Sequence, residues 1–298
     1  MKWHDAEAIV AIALSCVGIF LTSFVTVTFI RFNQTPLVKA SSRENSYILL
    51  VGIFCCFAMT FPYIAKPSTG VCFIQRIGLG LSFCTCYSAL VVRTNRMARI
   101  LAGSKKKIMT RKPRFLSAMA QVVMTFLLIG VELTIIVTFL ILEPPRAEYV
   151  YPTLNRKRLT CNTTTIAMVA PLGFDGFLVV MCTLYAFKTR NLPENFNEAK
   201  YIAFTMYTTC VVWLAFIALY FGGDDLQTIV VCYAVSLSAT VALGCLYFPK
   251  TYIVIFKPER NRRSSMRTSS IVRMHVGSFT ELAPLSKSSN GSASEIGR

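Results

Sequence analysis

A bundle of seven membrane-spanning helices, an all-α integral membrane protein, is the fold this sequence predicts. Three observations predict it. The 298 residues are 54% apolar and only 15% charged, where a soluble domain carries about a quarter charged residues. The mean hydropathy is +0.55. Apolar runs long enough to cross about 30 Å of hydrocarbon recur seven times.

Helices are expected at about 8–30, 45–65, 71–99, 115–142, 164–187, 199–221 and 226–253. The first run, Ala8 to Ile30, contains no charge and is followed by Arg31. It is too long for the apolar core of a signal peptide and reads as a true span. The third carries Arg76 in its outer turn, the fourth Glu132 and the fifth Asp175. Residues 1–257 form the membrane domain. The stretch 258–298 is rich in Ser, Arg and Gly and is expected to be a disordered cytoplasmic tail. Within it, Arg262 to Ser265 has the form of a basic-directed kinase site.

A net charge of +17 would suit a nucleic-acid partner if it were clustered on one domain. Here it alternates from loop to loop. The loops after the first, third and fifth spans, together with the tail, hold 24 Lys and Arg, against 7 on the opposite side. Basic residues stay in the cytoplasm, so the N-terminus is expected outside and the C-terminus inside, with membrane lipid and no nucleic acid as the partner.

Of eleven cysteines, only Cys72 and Cys161 fall near the side assigned as extracellular. The others sit in apolar segments, where a thiol behaves as a small buried hydrophobe. A bridge between Cys72 and Cys161 would tie the loop before the fifth span to the top of the third. Asn162, followed by Thr163 and Thr164, matches a glycosylation acceptor on that side, close against the bilayer. Asn33, with Thr35, matches on the cytoplasmic side and should be silent.

Three function classes use seven spans. A retinal protein needs a lysine near the middle of the last helix, and Lys250 follows Pro249 at the cytoplasmic exit instead. A transporter is expected to show internal repeats and broken midplane helices lined by polar groups, and no repeat is visible. A receptor remains. No catalytic constellation, metal site or cofactor motif is apparent.

Several runs carry a family resemblance. Asn195–Cys210 reads NFNEAKYIAFTMYTTC, and Ala186–Asn191 reads AFKTRN. Shorter ones are Thr94–Arg96, Cys86–Leu90, Ala65–Pro67 and the Pro249, Lys250, Tyr252 motif at the end of the last helix. These runs resemble metabotropic glutamate receptors, which are class C G-protein-coupled receptors of the plasma membrane. The resemblance extends from about Ala8 to Gly277. The loop from Arg99 to Phe115, with its lysine triplet, is similar to that of the group I receptors (types 1 and 5). It implies a homodimer acting through a heterotrimeric G protein of the Gq type and phospholipase C, and no enzymatic activity of its own. In the family, glutamate is bound by an extracellular bilobed domain, which is expected to lie outside these residues. Two alternatives stay open: a truncated, non-signalling membrane partner of full-length receptors, and a divergent class C receptor for another amino acid.

The resemblance also implies site residues. Arg93, Arg96 and Arg99 recur every third residue at the inner end of the third helix, and a resting-state lock would join Arg93 and Arg96 to Glu198 at the start of the sixth. Attraction to lipid phosphates is the plainer account of the arginines. Lys105, Lys106, Lys107, Arg111, Lys112 and Arg114 would contact the G protein, and anionic lipid would draw the same residues. Small-molecule allosteric modulators would bind among Tyr87, Leu172, Asp175, Thr209, Trp213, Phe216, Ser236 and Ser238. Trp213 sits mid-span, whereas tryptophan usually anchors at the interface. Asp175 and Phe83 stand where group I receptors carry Asn and Pro. Glu132 has no family role to inherit, and an acid at membrane depth is a functional candidate by default.

Overall fold

The computed structural model describes residues 6–35, 37–38, 42–105, 117–153, 156–162, 164–189, 197–222 and 227–257. The predicted tail, 258–298, lies outside them. Among the described residues seven helical spans are present: Ala6–Arg31, Arg43–Ile64, Thr69–Arg99, Ala118–Leu142, Ile166–Lys188, Lys200–Leu219 and Gln227–Phe256. Each corresponds to one of the seven apolar runs.

The third span is the axis of the bundle. In its most apolar stretch 78% of residues are buried, against 17% in the fourth span, which lies at the periphery. Large apolar side chains such as Phe20, Met119, Ile141 and Leu214 point outward, each at least 70% exposed. An unbroken helix satisfies its own backbone, so this apolar outer surface suits hydrocarbon.

Small residues let the helices approach where the sequence needs it. A Cβ on Gly18 would overlap the Phe57 ring, so that ring seats directly on the backbone of the first span. Polar contacts pin the interior at a few points. Asn45 in the second span donates to the carbonyl of Ala89 in the third at 2.7 Å and accepts from Thr125 of the fourth at 3.2 Å. Ser15, Thr60 and Ser236 join the first, second and seventh spans through hydroxyl contacts of 2.7 and 3.3 Å.

Two spans are interrupted where proline dictates. The second breaks at Met59, between helices Arg43–Ala58 and Thr60–Ile64, and Pro62 sits in the first turn of the latter. The seventh breaks at Tyr247, before Pro249 in the first turn of Phe248–Phe256. At that break Tyr247 donates to the carbonyl of Ser46 at 2.8 Å and meets Phe29 edge-on at 5.5 Å.

The loop before the fifth span departs from the all-helical expectation. It contains an antiparallel hairpin, β1 (Ala147–Thr153) and β2 (Arg156–Cys161), with Glu148 opposite Thr160 and Tyr149 opposite Leu159. Tyr149, Val150 and Tyr151 favour extended backbone, and a strand of seven residues is too short to register against runs of twenty. A disulfide between Cys72 and Cys161, whose Cα atoms are 5.6 Å apart, fastens the end of β2 to the top of the third span.

Candidate functional site

Within the helices, aromatic side chains from the third and sixth spans meet around a narrow cavity. Phe83 and Tyr87 lie one turn apart on the third span and stack with ring centroids 5.8 Å apart. Trp213 of the sixth span tilts against Phe83 at 5.4 Å and donates its indole N–H to the Tyr87 hydroxyl at 2.9 Å. Phe216 meets Trp213 edge-on at 5.9 Å. Leu79, Leu172, Val231, Val235 and Ser238 complete the walls. The space left between them is about 10 Å³, room for about one water, so the aromatic cluster largely fills its own cavity.

Of the residues expected to form one pocket, Leu172, Trp213, Phe216 and Ser238 line this cavity. Tyr87 joins it through Trp213 and Phe83. Thr209 is buried one turn before Trp213, outside the lining. Ser236 does not join the cavity and belongs to the cluster with Ser15 and Thr60. The reason is helical: residues two apart point about 200° from one another, so Ser236 and Ser238 face different neighbours. Asp175 is fully buried one turn deeper than Leu172, also outside the lining. Leu79, Phe83, Val212, Val231, Ala234 and Val235 are wall residues the sequence did not assign. For the third span the available signal was the step of four along Leu79, Phe83 and Tyr87.

At the end of the bundle that carries the hairpin, Arg76 is clamped. Its guanidinium donates to the carbonyl of Glu143 at 2.8 Å and lies 3.7 Å from the Glu143 carboxylate, which also accepts from Thr164. The top of the third span is thus held to the end of the fourth by this clamp and to the hairpin by the disulfide. Asn162 is exposed, and its backbone N–H bonds the carbonyl of Arg146 at 2.7 Å.

At the opposite end, Arg93 is buried at 3% exposure, within electrostatic reach of Lys250 and Tyr247 of the seventh span. Arg96 donates to Ser42, a residue in the left-handed backbone region at φ 54° that the sequence did not single out. Tyr252 is exposed beyond Pro249, and the ammonium of Lys257 lies 5.7 Å from its ring. The Glu198 side chain lies outside the described residues. So do Lys106, Lys107, Arg111, Lys112 and Arg114, and the side chain of Lys105.

The family model described as "7 transmembrane sweet-taste receptor of 3 GCPR" matches residues 1–250. The chain belongs to the class C G-protein-coupled receptors. It is 42% identical over 289 residues to a metabotropic glutamate receptor of Drosophila melanogaster, which covers 96% of this chain and 29% of the fly protein. It is 44% identical over 285 residues to metabotropic glutamate receptor 8 of Mus musculus, which covers 91% of this chain and 31% of the mouse protein. The chain therefore spans under a third of the length of the curated relatives it matches. This is a class C receptor transmembrane domain related to metabotropic glutamate receptors, a multi-pass protein of the plasma membrane and a member of a receptor family, not an enzyme family.

Proposed function

We propose that this domain is the signal-transducing core of a glutamate receptor that acts as a homodimer and promotes nucleotide exchange on a heterotrimeric G protein. The observation that carries the reading is the similarity to metabotropic glutamate receptors along more than nine-tenths of the chain. Gq-type coupling to phospholipase C is the finer reading and rests on the lysine triplet Lys105 to Lys107. The basic loops support an N-terminus outside and a cytoplasmic C-terminus, and the hairpin end, with its disulfide, fits the oxidising side.

Arg93 and Lys250 place two neighbouring cations inside the cytoplasmic end of the bundle. The family resemblance supports a resting-state lock that joins Arg93 and Arg96 to Glu198 at the start of the sixth span, and Arg96 also donates to Ser42. Lys105, Lys106, Lys107, Arg111, Lys112 and Arg114 form the G-protein contact. The cavity under Trp213 takes small allosteric modulators, and because only about 10 Å³ is free, a modulator enters by displacing Trp213 or Phe216. The switch between states is then a repacking of the third, sixth and seventh spans.

Phospholipase C output in cells expressing the chain, with Glu198→Ala beside it, tests the reading. Output above mock, raised roughly fivefold or more by the mutation, is expected for a coupling of at least about 1 kcal/mol. Surface-expressed protein that is silent in both forms overturns Gq-type coupling by this domain.

A further inference from the structure

We propose that Glu132 and Asp175 form a cation-binding pair at the middle of the membrane, a site separate from the aromatic cavity and independent of the signalling reading. Both residues are fully buried, and all four of their carboxyl oxygens lack a hydrogen-bond partner. They come from different spans, the fourth and the fifth, and lie within electrostatic reach of one another beside Gly80 of the third.

Their depth matches. Glu132 lies ten residues before the end of its helix at Leu142, and Asp175 ten residues after the start of its own at Thr165. At 1.5 Å per residue both are about 15 Å from the hairpin-side helix ends, half of a bilayer core of about 30 Å. Gly80 on the third span sits at the same level. A Cβ there would lie 2.6 Å from Oε1 of Glu132 and 3.2 Å from Pro171, so the glycine is what lets the Glu132 carboxyl reach in towards the fifth span. Pro171, inside the fifth helix, has no N–H to give the carbonyl of Ala167, which leaves a further oxygen acceptor one turn above.

Charge balance is missing. Arg76, one turn above Gly80, is committed to Glu143 and the carbonyl of Phe139 at the end of the fourth span. No ion pair involving Glu132 or Asp175 occurs among the described residues. Two carboxylates in a low-dielectric seam are costly without a positive partner, and oxygen donors are the chemistry that selects a hard monovalent ion or an ammonium group.

Thermal unfolding of the full chain in lipid nanodiscs tests this. One arm exchanges choline chloride for sodium chloride at constant ionic strength. The other compares benzylamine hydrochloride with benzyl alcohol. A saturable rise in melting temperature with sodium identifies an inorganic ion, and one with benzylammonium but not the alcohol identifies an organic ammonium. Either supports the site if Glu132→Gln and Asp175→Asn, which keep the shape and remove the charge, weaken the apparent affinity roughly 30-fold or more. No rise with either cation, or an equal rise in the double variant, overturns it, the two acids then carrying protons of their own. Should the variants fail to fold, infrared difference spectra of the unmutated chain between sodium and choline decide. A shifted carboxylate stretch of the buried pair, shielded from deuterium exchange, supports the site, and its absence overturns it.

Discussion

The indole N–H of Trp213 donates to the hydroxyl of Tyr87 at 2.9 Å, a side-chain bridge from the sixth span to the third across the narrow cavity. Its loss has a definite cost. Tyr87→Phe leaves the indole donor without its acceptor and is expected to lower stability by about 1 kcal/mol, read from thermal unfolding in detergent. An unchanged melting temperature would mean that ring stacking alone holds the cluster.

Gly18 tests the contact between the first and second spans. Gly18→Ala places a methyl group inside the Phe57 ring and is expected to destabilise by about 1–3 kcal/mol. Phe57→Leu should recover part of the loss, because a smaller side chain vacates that space. A double-mutant cycle showing simple additivity would place the strain elsewhere.

Asn45 links three spans through one amide. Asn45→Ala removes the donor to Ala89 and the acceptor for Thr125 together, and a loss of about 1–2 kcal/mol is expected. Thr125→Val should cost less, since the single hydroxyl proton of Thr125 is shared between Asn45 and the carbonyl of Gln121 in its own helix.

The disulfide closes 89 residues of chain. Replacing Cys72 and Cys161 together by Ala should lower stability by up to about 4–5 kcal/mol, by the loop entropy restored to the unfolded chain. Surface expression and thermal unfolding check this, and an unchanged midpoint would show that the Arg76 clamp suffices to hold the hairpin end.

The spans were legible because a bilayer imposes a length and a composition that one sequence displays directly, as Ala8 to Ile30 does. Cys72 and Cys161 stood out because they alone fell on one side of the membrane. The hairpin escapes a sequence reading because two short strands carry little periodicity beside long apolar runs. Ser236 and Ser238 part company in the fold, and a resemblance does not show it because it transfers positions without rotating them about the helix axis. Glu132 and Asp175 were visible as anomalies, yet their meeting depends on Gly80, whose clearance appears only once three helices are packed.

The contrast in burial between the third and fourth spans sets where this domain can vary over evolutionary time. A helix enclosed by its neighbours on nearly every face accepts few substitutions, since almost any change in volume or polarity is felt by something packed against it. A helix facing lipid around most of its circumference has only to remain apolar, and Leu, Ile, Val and Phe are nearly interchangeable there. Sequence drift should therefore concentrate on the outward positions of the fourth span, while Glu132, on its one inward face, is held to the slower clock of the third.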